Sequence, residues 1–217
     1  MQIMKITIIY DNTAYDEGLR ADWGFACIVD ADQGYRLLFD TGTDGEILLE
    51  NMKELSIDPP SINDVFISHA HFDHIGGLSA FLNQNRDVRV FCPQSLRGVR
   101  GAREVISVGD EPVEIYENLY STGEIEQIEQ SLAVKTPSGV VLIVGCSHPR
   151  MSNILAAARG FGEIYAVIGG MHGFDDFGLF KGIRHICPTH CTQYIEKIRS
   201  LYPDAYIKGG AGRVIEV

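Results

Sequence analysis

The sequence predicts a mixed α/β (α+β) fold with two layered β-sheets. Strand-like segments come first in hairpin pairs, and later ones alternate with helical segments, the pattern of a layered mixed fold. In addition, 45% of the 217 residues are apolar, enough to fill one substantial core, so a single domain spanning residues 1–217 is expected.

Residues 2–10 read as a buried strand, followed by a polar loop over 11–22 and a second strand over 23–29. Asp32-Gln33-Gly34 is a turn, and 35–39 completes a hairpin. Asp40-Thr41-Gly42 opens a loop, after which Ile47, Leu48, Met52 and Leu55 recur at helical spacing over 45–55. Pro59-Pro60 closes that unit. Residues 65–68 form a short strand, and 77–83 a helix. The stretch 87–123 is the least regular, with short strands around 88–91 and 113–116 flanking a loop rich in Arg and Gly. Residues 132–135 and 140–144, joined by Pro137-Ser138-Gly139, read as a further hairpin. Helices are expected over 151–159 and 192–201, and strands over 164–168, 184–187 and 206–208.

Charge and composition exclude several classes of function. The net charge of −11 argues against a protein that tracks a nucleic-acid backbone, which needs a basic surface to displace counterions. It leaves room for a small, anionic substrate met by a local positive site. No run approaches the ~18 apolar residues of a membrane span, and the N-terminus lacks the pattern of a secretory signal, so the cytoplasm is the expected location. Five scattered cysteines do not form a disulfide framework and read as reduced thiols.

Histidine usage is the informative anomaly. Of the seven histidines, His69, His71 and His74 fall within six residues, directly after a strand. In an extended segment, side chains at i and i+2 point the same way, so His69 and His71 can grip one metal from one side. Asp73 and His74 follow a change of direction and can face a neighbouring position. Imidazole and carboxylate donors without a dominant thiolate set suit one or two Zn²⁺ ions, with Fe or Mn as alternatives. For one histidine a surface loop would be the better reading; H-x-H-x-D-H between a strand and Gly76-Gly77 points to a metal.

The run Ser68-His69-Ala70-His71-Phe72-Asp73-His74-Ile75-Gly76-Gly77 resembles the signature loop of the metallo-β-lactamase superfamily, and Phe39-Asp40-Thr41-Gly42 resembles its earlier motif. Gly145-Cys146-Ser147-His148, Gly169-Gly170-Met171-His172 and Pro188-Thr189-His190-Cys191-Thr192 are similar to the branch of 7,8-dihydropterin-6-methyl-4-(β-D-ribofuranosyl)aminobenzene-5'-phosphate synthase-like proteins. The resemblance implies a four-layer αββα sandwich of two mixed sheets flanked by helices. It also implies one metal held by His69, His71 and His148, and a second held by Asp73, His74 and His190. Most two-metal members place a bridging Asp after a strand; here that strand ends Gly145-Cys146 and no Asp is near. A Cys146 thiolate, a bridge of water alone, or a single tightly filled site are the three alternatives, and a buried inert Cys is the commoner fate of such a residue.

Asp40 is a candidate to fix the tautomer of a ligating histidine. His172 is a candidate for contacting substrate or donating a proton, against a packed polar role. His185 lies within a strand and reads as structural. Arg97, Arg100 and Arg103 recur at three-residue spacing and can receive a phosphate or carboxylate, though a solvated loop is the plainer reading. Cys187 and Cys191 lack a second cysteine pair with metal-ligand spacing. The expected chemistry is hydrolysis by a metal-activated water, with Asp73 as base if the second position is empty. The expected substrate is a phosphodiester or cyclic phosphate of a pterin- or nucleotide-like small molecule. A lactone, ester or thioester hydrolase, a di-iron redox protein and a non-catalytic metal-stabilised module are the alternatives.

Overall fold

The computed structural model describes residues 4–217. Positions 2 and 3 of the first expected strand lie outside the described residues. Two mixed sheets stack face to face. The first is built from β1 (Lys5–Tyr10), β2 (Ala26–Asp30), β3 (Arg36–Phe39), β4 (Asp64–Phe66), β5 (Arg89–Pro93) and β6 (Glu104–Val108). The second comprises β7 (Val113–Tyr116), β8 (Leu119–Ser121), β9 (Leu132–Thr136), β10 (Gly139–Val144), β11 (Ile164–Gly170) and β12 (His185–Thr189). The C-terminal β13 (Val214–Glu216) returns to the first sheet beside β1. In each sheet antiparallel pairing gives way to parallel pairing: β3 to β6 run parallel in one, β10 to β12 in the other.

The sequence builds this sandwich because its strands are apolar on both faces. In β2, Cys27 and Val29 point into the core between the sheets, while Ala26 and Ile28 face outward beneath helices. In β10, Val141 and Ile143 face inward, while Leu142 and Val144 face outward. Period-two alternation with both faces buried gives continuous apolar runs. The outer face of the first sheet is covered by α1 (Gly45–Glu54) and, after the short α2 (Phe72–Ile75), by α3 (Leu78–Gln84). Asp44 caps α1 by accepting from the N–H groups of Glu46 and Ile47. The second sheet is covered by α4 (Met151–Arg159) and α5 (Ile195–Leu201), which bury Ile154, Leu155 and Ile198. The layering is αββα.

Three strands were not expected. β6 and β13 are edge strands with exposed residues on one side, and β8 is three residues long, so none carries a strong apolar signal. Conversely, 206–208 makes only an isolated bridge between Tyr206 and Ile186. The following Gly209-Gly210, the second at positive φ, turns the chain away before a ladder can form. No helix among the described residues is long and apolar enough to cross a membrane.

Candidate metal centre

The C-terminal ends of β1, β3, β4, β10, β11 and β12 open onto one rim of the sandwich. The segments that follow them carry Asp11 and Asn12, Asp40, His69 to His74, Cys146 to His148, His172 and His190 respectively. Four of the nine non-glycine residues with positive φ among the described residues lie in these segments: Asp40 (54°), Ser147 (58°), His172 (40°) and His190 (48°). Left-handed backbone at such residues is held against its conformational cost and concentrates where side chains must be aimed. The metal loop docks on the 41–43 segment through Thr41 N to His74 O (2.8 Å) and Gly77 N to Gly42 O (3.3 Å). A Cβ at Gly76 or Gly77 would strike the carbonyls of Thr43 and Thr41, so this approach demands glycine at both.

Five imidazoles converge here. His69 Nε2 lies 3.1 Å from His71 Nδ1, and the His148 ring centroid is 4.7 Å from that of His69 and 4.5 Å from that of His71. His74 and His190 form a second group, with centroids 5.0 Å apart. Cys146 Sγ sits between, 3.2 Å from His74 Nε2. The donor atoms of His69, Cys146 and His148 lie within 4.8 Å of one another, as do those of His74, Cys146 and His190. Both groupings can hold a metal, and the thiol is common to both. Asp73 Oδ2 lies beside the second grouping, 3.2 Å from His190 Nε2.

The far side of each ring is tied down, so the near nitrogens are aimed. Asp40, fully buried, accepts from Ser68 N and Ser68 Oγ (2.7 Å each) and lies 2.7 Å from His74 Nδ1. Ser68 Oγ is also 2.9 Å from His69 Nδ1. Asn12 Oδ1 lies 2.9 Å from His190 Nδ1, while Asp11 accepts from His190 N at 2.8 Å. These contacts leave Nε2 of His69, His74 and His190 facing inward. Glu129, only 1% exposed, accepts from the backbone N–H groups of Cys146 (2.9 Å), Ser147 (3.2 Å) and His148 (3.0 Å), and so shapes the loop carrying two donors.

The electrostatics fit a cation. Burial, reinforced by His74, His148 and His71, holds the His69 pKa far below the ordinary imidazole range. Burial and neighbouring histidines lower His148 to about 4. Burial also lowers His190. For His74 burial is outweighed by the Asp40 carboxylate, which raises its pKa. Burial would raise Asp73, but contact with His190 and the proximity of His74 outweigh it and hold Asp73 below the usual carboxylate range. The neighbouring Cys191 thiol and burial push the Cys146 thiol pKa up. Two buried nitrogens face no hydrogen-bond donor: Nε2 of His148 has no partner, and Nε2 of His190 faces only the Asp73 carboxylate, outside hydrogen-bond geometry. Neutral imidazole lone pairs that converge with nothing to accept are the donor set a borderline-soft divalent metal requires.

A sequence model of the metallo-β-lactamase superfamily matches residues 24–124, a span that includes the 69–74 loop. That segment of the chain is similar to the metallo-β-lactamase superfamily. The chain is 26% identical to the 7,8-dihydropterin-6-methyl-4-(β-D-ribofuranosyl)-aminobenzene-5'-phosphate synthase of Methanocaldococcus jannaschii, with 87% of each chain covered. Its structure is similar to that of Tm1679, described as a metal-dependent hydrolase of the β-lactamase superfamily, with a TM-score of 0.79, 28% identity and 99% of both chains covered. The superfamily fold is shared also with YhfI of Bacillus subtilis, at a TM-score of 0.72 and 15% identity over the whole of both chains.

Around the metal-type cluster, the remaining candidates separate clearly. His172 is exposed, its ring 5.2 Å from that of His148, and it lines an open cleft of roughly 470 Å³ with Ser147, His148, Arg150, Phe174 and Asp176. Arg97, Arg100 and Arg103 are exposed, and Arg103 pairs with Asp87 at 2.7 Å. Leu96, Val99 and Ala102, on the same three-residue spacing, pack on the outer core of the first sheet, so the arginines form that loop's solvated face. His185, in β12, contacts Tyr165 Oη at 3.0 Å. Cys187 lies in the core between the sheets, and Cys191 Sγ faces the Cys146 carbonyl at 3.7 Å. Asp11, Asn12, Trp23, Ser68 and Glu129 were missed by sequence reasoning. For Asp11-Asn12 the signal was available: an acid–amide pair closing the first strand. For Glu129, one of three glutamates in 124–129, there was none.

Proposed function

We propose that this chain is a hydrolase with two adjacent metal positions that share Cys146. His69, His71 and His148 would hold one ion; Asp73, His74 and His190 the other; zinc suits both donor sets. The observation that carries the reading is the convergence of two unpartnered buried nitrogens, on His148 and His190, toward donor groups with one thiol in common. A coordinated thiol is deprotonated outright, so Cys146 would stand as a thiolate where most two-metal relatives carry a carboxylate. Bound metal would supply Lewis-acid polarisation of the scissile group and a water of lowered pKa.

The protein's own groups orient that chemistry. Asp40, Ser68 and Asn12 fix the tautomers of His74, His69 and His190. The contacts of Asp73 with Trp23 and His190 suit ligation better than proton abstraction. His172, exposed and with its ring beside that of His148, would be placed to protonate a leaving group entering the cleft. The similarity to a protein named for a pterin-bearing 5'-phosphate supports a phosphodiester or cyclic phosphate of a pterin- or nucleotide-like small molecule as substrate.

The test is a panel of chromogenic phosphodiester, cyclic phosphate, ester, lactone and thioester substrates with metal-loaded protein. Turnover of the phosphodiesters, lost in His71→Ala, supports the reading. Turnover confined to esters, lactones or thioesters overturns the substrate class. Bound iron with a reducible signal, or bound metal without turnover, overturns the hydrolase.

A further inference from the structure

Trp23 is the sole tryptophan in the chain and is 57% exposed, so burial does little to fix it. Its polar edge is nevertheless committed. The indole Nε1 donates to Asp73 Oδ2 at 2.8 Å, and its ring lies 5.1 Å from that of His190, tilted by 60°.

The loop carrying Trp23 is fastened from several sides. Trp23 O accepts from Thr43 Oγ1, Gly24 N donates to Asn12 Oδ1 at 3.1 Å, and Phe25 N donates to Asp73 O at 3.2 Å. Gly24 has φ +146°, and a Cβ there would stand 2.7 Å from Asp73 O, so glycine is what lets the two loops touch. Asn12 Oδ1, which accepts from Gly24 N, also faces His190 Nδ1. One loop therefore braces both Asp73 and His190. Asp73 needs the brace: it sits in the first turn of a four-residue helix, its side chain is 20% exposed, and water competes for its oxygens.

We infer that Trp23 is a positioning residue for the second metal position, its indole N–H holding the Asp73 carboxylate in the orientation that ligates beside His74 and His190. The inference rests on the two-position reading above. Trp23 makes no such contact with His69, His71 or His148, so its effect is confined to one of the two positions.

The experiment titrates the full chain, stripped with a chelator, with Zn²⁺ alone, followed by calorimetry and by emission of the single indole. Wild type should show two binding events, with the emission changing on the second. Trp23→Phe keeps an aromatic ring against His190 and removes only the donor. It should weaken the second event by about 10- to 100-fold, the usual effect of losing a partner that orients a ligand, and leave the first within about twofold. If wild type takes up fewer than two equivalents, the two-position reading fails and this inference with it. If wild type takes up two and Trp23→Phe binds both as wild type does, the role of Trp23 is overturned while the two positions stand. Should Trp23→Phe fail to fold, the wild-type emission decides: a signal that follows the first equivalent, or neither, overturns the inference.

Discussion

Replacing Glu129 with Gln probes the least expected support of the site. The Glu129 carboxylate is buried, and its partners around the 146–148 loop are three backbone N–H donors. Gln retains one acceptor oxygen and presents an amide NH₂ on the other side. Whichever way it is turned, at least one loop N–H then faces another donor. A hydrogen bond to a charged acceptor contributes about 1.5–3 kcal/mol, and a buried N–H left without a partner costs about 1–3 kcal/mol. Part of this is returned, because burial disfavours the charge and raises the Glu129 pKa against the pull of those same N–H groups. The net expectation is a loss of about 2–4 kcal/mol, with the 146–148 loop displaced enough to weaken metal binding about 10- to 100-fold. Urea unfolding in the presence of a chelator measures the first, and competition against a chromophoric chelator the second. A variant within about 0.5 kcal/mol of wild type, with unchanged metal affinity, would refute the assignment of Glu129 as the loop's anchor.

Other perturbations follow from the same geometry. Asp40→Asn tolerates the left-handed backbone at that position but exchanges one acceptor for a donor, opposite Ser68 or His74. It should lower affinity at the second metal position by about 10- to 100-fold, measured by calorimetry. Asp11 gives a pH dependence in metal-free protein, since burial raises its pKa from 3.8 to about 6 despite the N–H of His190. The folded state therefore favours the protonated acid: its contribution is fully present below pH 3.8 and is lost as pH rises through about 6. At about 1.4 kcal/mol per pKa unit that loss is no more than about 3 kcal/mol, and Asp11→Asn should flatten this segment of a stability–pH curve followed by urea melts. Gly77→Ala should destabilise by more than about 2 kcal/mol in thermal or urea unfolding, because its methyl group meets the Thr41 carbonyl rather than a side chain that can move.

Much of the architecture was legible because both faces of the central strands are buried. The apolar run 140–144 and the hairpin it forms with 132–135 appear as β10 and β9, and the helix expected over 151–159 matches α4 (Met151–Arg159). The edge strands β6 and β13 were not legible, since half of an edge strand faces solvent and its polar residues mask the alternation. The candidate site divides the same way. Ligand-type side chains announce themselves by kind and spacing, as in His69 to His74. Residues that aim them do so from other strand ends: Asn12 reaches His190 across 178 positions, and Trp23 reaches Asp73 across 50. No local pattern encodes such pairings, because the sandwich brings their strand ends together only once both sheets have stacked.

The sharing of Cys146 between two metal positions is the claim on which the functional account turns, and its direct test is elemental analysis joined to the near-ultraviolet spectrum of Co²⁺-substituted protein. Two ions per chain are expected, with a thiolate-to-metal charge-transfer band that survives in Cys191→Ser and disappears in Cys146→Ser. One ion or none, or two ions without the sulfur band, would contradict it.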